Sequence, residues 1–411
     1  MLNTYSMRGF TVATPTELTP GGTLHVDNGR LAQSVERKSH VVSFPAGTAA
    51  FPALINIHDH MNGNYLPSVG PKPGDYYINW SNWDKDLKDS YTVKVERAKI
   101  GVEDRYLLSA FKNMFSGVVT VNDHFPHHLN EPLIPMLPVR VLRDYTLAHE
   151  CSSFDLKWGE GIEVEHAKAA KQGFPFITHL EEGYDLETQR GVEILEEKGC
   201  FDGLDVFIHC IGFSDEDIRK SARVGASLVW CPASNLLMFN LTSKVRKMLQ
   251  WGANVALGTD STATGSVNLM DEMRCARQTY RRLYAEDLPA RTIVKMVTEN
   301  PAKALRMQKD IGSLEAGKLA DILVIRQKKA DPYDSLVDAR PDDVELLVQE
   351  GTPIFGAAEY EELFRLREAE AFPICINGRK MLAKGDPAGL LQRVRKLVGF
   401  KKVLDFMPLD L

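Results

Sequence analysis

Apolar, strand-like runs alternate with charged, helix-like segments from about residue 53 onward, and this alternation limits the fold more than any other feature. Helices between strands make consecutive strands parallel, so the pattern predicts an α/β fold built on a parallel barrel. The strand-like runs are ALINIHDH, GVVTVNDH, PVRVLRDYT, PFITHLEE, DVFIHC, ASLVWCP and NVALGTD. One more strand is expected between residues 146 and 173, where CSSFDLKWGEG shows no clear strand pattern. The expected fold is therefore a distorted (β/α)₈ (TIM) barrel.

The two ends of the chain differ from the middle, because they consist of short β-branched strands separated by glycine-containing turns. Residues 1–52 and 308–384 are expected to form the N-terminal and C-terminal parts of one small β-sandwich, beside a barrel over residues 53–307. Residues 385–411 follow as a basic amphipathic helical tail. Such a tail suits a helix docked on the barrel or on a second subunit, and membrane contact is the alternative.

Charge and cysteine usage argue against several classes of function. The net charge is −6, from 55 acidic and 49 basic side chains, and no block of Lys or Arg could follow a phosphate backbone. The six cysteines are scattered without a CxxC pair, which fits a reducing compartment. The N-terminus lacks a signal-peptide pattern, and no stretch has the length of a membrane span. We therefore expect a cytoplasmic protein with a small-molecule substrate and without nucleic-acid or membrane partners.

Side chains that can bind metals end four of the predicted strands. His58 and His60 alternate at the end of the first strand, so they project to the same side and could share one metal ion. His179, His209 and Asp260 end three later strands. Each residue alone could be a hydrogen-bonded core residue. The carboxyl ends of barrel strands meet at one face, however, where barrel enzymes have their active sites, so the set predicts a metal centre.

Several motifs occur in the order in which one superfamily has them. They are HDH (58–60), HLEE (179–182), HC (209–210), CPASN (231–235), GTDS (258–261), NPAKALRM and IGSLEAGKLADILVI. On these motifs the chain resembles the amidohydrolase superfamily, in its branch of cytosine deaminases, guanine deaminases and chlorohydrolases, over nearly its whole length. It departs from that pattern at Asn56, where the family often has an acidic residue before its HxH motif.

The resemblance implies a centre with one divalent metal ion and these ligands: His58, His60, His179 and Asp260. Zn²⁺ suits the set, with Fe²⁺ as the alternative. His209 would hold or polarise the metal-activated water, Glu182 would be the acid/base, and Asp260 would accept a proton. Relatives with two ions use a carboxylated lysine on the fourth strand. The segment VLRDYTLAHECSSFD has no lysine, so we expect one ion.

Three interpretations of the function stay open. The first is hydrolytic deamination of an amino-substituted N-heterocycle, such as a purine, pyrimidine, pterin or triazine, in which Glu182 protonates a ring nitrogen. In the second interpretation the same metal centre is used to cleave an amide, a cyclic amide or a carbon–halogen bond. The third is a catalytically silent binding protein, which would not need to keep all six site residues. A homodimer is also implied by the resemblance.

Four further residues are expected near a substrate. Trp80 and Trp83 lie in an aromatic loop after the HDH motif, where they could stack on a flat heterocycle or simply anchor the loop on the barrel rim. His124, after the second strand, could touch the substrate or support a ligand from behind. Asn235 could meet a polar group of the substrate or fix its own turn.

Overall fold

The computed structural model describes residues 2–15, 17–36 and 39–410, and the strands in these ranges fall into three sheets. In chain order the strands are β1 (Thr4–Ala13), β2 (Leu18–Asp27), β3 (Arg30–Ala32), β4 (His40–Ser43), β5 (Thr48–Pro52), β6 (Leu54–Asp59), β7 (Val118–Asp123), β8 (Arg140–Val141), β9 (Thr146–Leu147), β10 (Phe176–Leu180), β11 (Asp205–His209), β12 (Ser227–Trp230), β13 (Asn254–Leu257), β14 (Ile322–Arg326), β15 (Val344–Gln349), β16 (Thr352–Ala357), β17 (Phe372–Ile376) and β18 (Arg379–Ala383).

Helices follow most of the middle strands, which gives the mixed α/β fold expected from the sequence. In chain order they are α1 (Trp80–Asp89), α2 (Val102–Phe115), α3 (His127–Asn130), α4 (Ile162–Gln172), α5 (Gly191–Glu197), α6 (Asp215–Val224), α7 (Pro232–Phe239), α8 (Val245–Gln250), α9 (Leu269–Tyr284), α10 (Ala290–Met296), α11 (Glu299–Ala304), α12 (Pro332–Val337), α13 (Glu361–Leu366) and α14 (Pro387–Val398). A short π-helical segment covers Thr92–Glu96.

Strands from both ends of the chain share the largest sheet. Within the described ranges its ten strands follow the order β17-β18-β16-β15-β14-β5-β1-β2-β3, and β4 pairs with β1. The connection between the two halves is the antiparallel pair β5 and β14, in which Ala50 lies opposite Val324. Every residue of β5 is buried. The first and last parts of the chain are therefore joined through a buried strand pair.

The middle strands form two parallel sheets. β6, β7 and β8 make one, and β9 to β13 make the other. All residues of β6, β7, β10, β11 and β12 are buried, as expected for parallel strands that are covered on both faces. The residues just after β13, the last of these strands, contact β6, the first of them. The backbone N–H of Asp260 donates to the carbonyl of His58 at 3.1 Å.

The strand that the sequence left unplaced is β9, which has only two residues. Thr146 and Leu147 pair with Phe176 and Ile177 of β10. This position is the very start of the interval in which the sequence predicted the strand. Two residues show no alternation that a periodicity argument could detect, so its exact place could not be read from the sequence.

The C-terminal tail is the helix α14, which packs on α2. Its apolar side chains Leu390, Leu391 and Val394 are buried. Arg393 on the exposed side forms an ion pair with Asp104 of α2 at 2.7 Å. The tail thus docks on a helix of the middle region, one of the arrangements expected for it. Within the described residues, no helix combines the length and the apolar character needed to cross a bilayer.

Candidate metal centre and active site

Four histidines and one aspartate converge at the carboxyl ends of the parallel strands. His58 lies in β6 with His60 just beyond it, His179 lies in β10, His209 ends β11, and Asp260 follows β13. Asp260 Oδ1 lies 3.6 Å from His60 Nε2 and 3.9 Å from His58 Nε2. The ring centroid of His179 is 5.1 Å from that of His58 and 5.4 Å from that of His209. The structure thus brings together all five residues that the sequence singled out at strand ends.

The turns at these strand ends place several non-glycine residues in the left-handed region of backbone conformation. The φ angles are 71° at His209, 49° at Cys210, 55° at Asp260 and 54° at Glu181. Each such residue costs roughly 1–3 kcal/mol unless its surroundings hold it. Backbone hydrogen bonds do so here: the N–H of Cys210 donates to the carbonyl of Leu180 at 3.1 Å. Of these four residues, His209 and Asp260 have their side chains at the common centre.

Three of the imidazoles have a defined tautomer, because an oxygen accepts a hydrogen bond from Nδ1. The acceptors are the carbonyl of His124 for His60 (3.1 Å), the carbonyl of His149 for His179 (2.8 Å) and Asn235 Oδ1 for His209 (3.0 Å). With the proton held on Nδ1, the Nε2 atom keeps its lone pair. This is the arrangement in which histidines bind metal ions.

Burial keeps the central imidazoles uncharged. It lowers the pKa of His58 and His179 well below the usual value, and the neighbouring imidazoles lower it further. Both ring nitrogens of His58 are buried without a hydrogen-bond partner. Neutral imidazoles with free lone pairs beside a carboxylate are the donor set that a divalent transition-metal ion requires, so the residues present fit such an ion.

The carboxylate of Asp260 is buried, oriented and ionised. Its Oδ2 accepts hydrogen bonds from the hydroxyls of Ser234 and Thr264, both at 2.8 Å. Burial alone would raise the pKa of Asp260, but the neighbouring imidazoles of His60 and His209 and the hydrogen bonds from Ser234 and Thr264 bring it below the usual value. Oδ2 is therefore held by two hydroxyls, while Oδ1 accepts from the backbone N–H of Ser261 at 2.7 Å and faces the histidines.

Glu182 is a buried carboxyl group beside His209. Its Oε1 lies 3.4 Å from His209 Nε2. Burial raises the pKa of Glu182 well above the usual value, and the carboxylates of Asp260 and Glu150 raise it further. Both effects favour the protonated form of Glu182, from which it can donate a proton toward the centre.

One buried lysine next to the candidate centre, Lys112, was not among the site residues predicted from the sequence. Lys112 of α2 has no exposed surface, and its Nζ lies 3.3 Å from both carboxylate oxygens of Asp59. It also donates to Asn64 Oδ1 and Thr259 Oγ1, both at 3.0 Å, and to the carbonyl of Asp260 at 3.2 Å. Lys112 thus connects the first and last parallel strands. No motif marks it, because a lysine within a helix is usually exposed.

The aromatic loop lies directly beside the centre. Trp80 is the first residue of α1; its backbone N–H donates to the carbonyl of Glu182 at 3.2 Å, and its ring lies 4.4 Å from the ring of His149. The indole N–H of Trp83 donates to a backbone carbonyl of the preceding loop at 3.0 Å. Trp80, Trp83 and Tyr77 belong to one small apolar cluster. The loop is anchored by its own aromatic residues, and the ring of Trp80 also contacts that of His149.

His124 and Asn235 lie beside the candidate ligands, and the potential ligand atom of His124 is within 4.8 Å of those of His58 and His179. His124 and Asn235 are fully buried. The ring of His124 lies 4.5 Å from that of His179, and the amide nitrogen of Asn235 donates to the Thr242 hydroxyl at 3.2 Å. Their observed contacts therefore support the imidazoles, and contact with a substrate stays a prediction for both residues.

Comparison with known proteins confirms the resemblance to the amidohydrolase superfamily. The family model described as the amidohydrolase family matches residues 159–354. The 5-methylthioadenosine/S-adenosylhomocysteine deaminase of Thermoanaerobacter pseudethanolicus is 35% identical over 209 residues, which are 48% of this chain and 47% of that protein. The chain thus spans about half the length of such curated relatives.

Solved structures of two hydrolytic enzymes share the fold. A zinc-bound adenosine deaminase from Xanthomonas campestris superposes with a TM-score of 0.75 and 18% identity, covering 96% of this chain and 97% of that one. The zinc complex of the atrazine chlorohydrolase from Arthrobacter aurescens gives a TM-score of 0.74 and 18% identity, over 96% of this chain and 100% of that one. At this level of identity the likeness establishes the mixed α/β fold.

Proposed function

We propose that the chain is a metal-dependent hydrolase that deaminates an amino-substituted N-heterocycle. The observation that carries this proposal is the position of Glu182, a buried carboxyl group 3.4 Å from His209 whose surroundings raise its pKa. Deamination of a ring needs a proton donor for a ring nitrogen as well as an activated water. The matching relatives are named as deaminases, which supports the same reaction.

The proposed centre holds one divalent ion, with Zn²⁺ first and Fe²⁺ as the alternative. Its ligands are His58, His60, His179 and Asp260. The fixed Nδ1 protons, the unpartnered nitrogens of His58 and the position of Asp260 Oδ1, 3.6 Å from His60 Nε2, support this set. When bound, such an ion supplies Lewis acidity that makes water a nucleophile near neutral pH.

The proton transfers are assigned to side chains of the centre. The unprotonated Nε2 of His209 accepts a hydrogen bond from the attacking water and orients it, and Asp260 accepts the first proton of that water. Glu182 donates its proton to the ring nitrogen next to the amine-bearing carbon. As the ring carbonyl forms, the second water proton returns to Glu182, and the amine leaves as ammonia with the proton from Asp260.

Within this reaction class we propose a 6-aminopurine nucleoside as the first substrate to test. The names of the matching relatives contain 5-methylthioadenosine and S-adenosylhomocysteine, in which the amine is attached beside a ring nitrogen. The second candidate is cleavage of an amide, a cyclic amide or a carbon–halogen bond, which the fold similarity to an atrazine chlorohydrolase favours. A silent binding protein is the least supported alternative, since the complete donor set is assembled.

We propose the following architecture and setting for the enzyme. β6 to β13 close into a distorted (β/α)₈ barrel over residues 53–307, with a β-sandwich from 1–52 and 308–384 and a helical tail over 385–411. The hydrogen bond from Asp260 to His58 supports the closure, and the pairing of β5 with β14 supports a shared sandwich. We further propose a cytoplasmic protein that binds neither nucleic acid nor membrane, supported by the scattered cysteines and the net charge of −6. A homodimer that binds a small-molecule substrate is proposed on the resemblance alone.

Ammonia release tests the proposed reaction. We expect the metal-replete protein to release ammonia from at least one compound in a panel of adenosine-type nucleosides, free purines, pyrimidines, pterins and triazines. Chloride and carboxylate should be followed in the same reactions. Chloride or acid without ammonia would move the protein to the second candidate function. If the metal-bound protein releases no product from any compound in the panel, the deaminase proposal is contradicted and a binding protein is favoured.

Metal analysis tests the proposed centre without relying on activity. We expect one divalent ion per chain to remain after extensive dialysis, and His179→Ala to lose it, because a first ligand and its supporting hydrogen bond to His149 disappear together. His128→Gln, at an exposed histidine, is the control and should keep the ion. Two dialysis-resistant ions that both depend on His179 would contradict the single-ion assignment.

A further inference from the structure

A second group of metal-binding side chains lies at the opposite end of the parallel strands. His166 is on α4, Asp205 is the first residue of β11, and Asp202 lies in the turn just before it. Their potential ligand atoms all lie within 4.8 Å of one another. The start of β11 holds this group, whereas its last residue, His209, belongs to the proposed active site. The two sites are therefore separated by the length of the strand.

The spacing of the three side chains is that of ligands around a metal ion. His166 Nε2 lies 3.5 Å from Asp202 Oδ1 and 3.4 Å from Asp205 Oδ1. Ligands about 2.0–2.1 Å from a tetrahedral zinc ion are roughly 3.3–3.4 Å from each other. A charge-assisted hydrogen bond would instead bring nitrogen and oxygen to about 2.7–2.9 Å. Both His166 Nε2 and Asp205 Oδ1 are buried without a hydrogen-bond partner.

Hydrogen bonds hold the two aspartates in place before any ion binds. Asp205 Oδ2 accepts from the backbone N–H of Asp202 at 2.7 Å, which leaves Oδ1 directed at His166. Asp202 Oδ1 accepts from the backbone N–H of Leu204, also at 2.7 Å. Among the described residues, neither carboxylate has a lysine or arginine nitrogen within 4.0 Å, so His166 is their one potentially cationic partner at that distance.

We propose that His166, Asp202 and Asp205 form an accessory site for a divalent cation of the zinc class. One imidazole and two carboxylates supply three ligands, and the half-exposed side chain of Asp202 leaves the fourth position open to water. An ion there connects α4 to β11 on the face away from the proposed active site. The site is structural, and it is independent of the proposed deaminase reaction.

Zinc titration of the protein with its active-site ion already in place tests this site. We expect one additional zinc ion per chain and a rise in melting temperature that depends on zinc concentration. The titration is best made at pH 8, because burial raises the pKa of Asp205 to about 6, and the Asp205 carboxylate raises the pKa of His166. His166→Gln should weaken the additional binding by at least about tenfold and remove the rise in melting temperature.

Two further variants keep the test decisive. Asp202→Asn, at a half-exposed side chain, should fold as the natural protein does and also lose the additional ion. His179→Ala should lose the dialysis-resistant ion but keep the additional one, so failure of the proposed active site and failure of the accessory site give different results. The exposed control His128→Gln should change neither. The proposal is overturned if the natural chain takes up no additional ion, or if His166→Gln and Asp202→Asn bind it with unchanged affinity.

Discussion

We expect the exchange of Glu182 for Gln to lower turnover by roughly 10²-fold or more and to change substrate affinity far less. The reason is that Gln keeps the shape of the side chain but cannot donate and recover a proton beside His209. Steady-state ammonia release gives kcat and KM separately, so a loss in kcat alone can be distinguished from weaker binding. Metal content should be measured on the same preparation and should stay at that of the natural chain.

The neighbouring Glu181 provides a matched control. It is also buried, and burial raises its pKa to about 8, so the protonated form is favoured at this residue as well. Its carboxyl group faces away from the centre, however, because Oε1 accepts from the backbone N–H of Val192 in α5 at 3.2 Å. Glu181→Gln should therefore turn over substrate like the natural chain. Near-normal turnover by Glu182→Gln would contradict the deaminase mechanism and favour a reaction without ring protonation.

We expect the exchange of Lys112 for Met to lower the free energy of unfolding by about 3–5 kcal/mol. Met fills similar space, but its loss of charge leaves the buried carboxylate of Asp59 without its cation and removes a donor to the Asp260 carbonyl. Urea unfolding at a fixed, saturating metal concentration measures the effect, since a change in metal occupancy would alter stability by itself.

An exposed lysine tests whether burial is the cause. Lys88 of α1 also pairs with an aspartate, Asp84, but its side chain is 63% exposed. Lys88→Met should therefore cost no more than about 1 kcal/mol. The double variant Lys112→Met/Asp59→Asn should recover part of the stability lost in Lys112→Met, because it removes the unpaired charge as well. Equal losses at Lys112 and Lys88 would contradict the assigned role.

The centre could be predicted from the sequence because parallel strands impose a common direction. Once His58, His179, His209 and Asp260 were each seen to end an apolar run, their meeting at one face followed from the fold class alone. The order of motifs then indicated a resemblance to the amidohydrolase superfamily, and the amidohydrolase family model matches residues 159–354.

What the sequence did not show depends on contacts between distant segments. The strand β9 is two residues long and is defined only by its pairing with β10. Lys112 resembles any other helical lysine until its neighbours are known, and the carbonyl of His149 that orients His179 has no side-chain signature. The same holds for Asn235, whose bond to His209 crosses between two strand ends. Backbone partners and buried ion pairs of this kind are visible only in three dimensions.

The pairing of β5 with β14 also has a consequence for how the chain is made. About 270 residues separate Ala50 from Val324, so β14 is synthesised long after β5, the strand with which it pairs. At about 5–20 residues per second, this delay is roughly 15–50 s. During that time Ala49, Ala50 and Phe51, which have no exposed surface in the folded protein, lack the strand β14 that covers them. The nascent β5 therefore has an unpaired apolar edge until β14 is synthesised, and such edges favour aggregation.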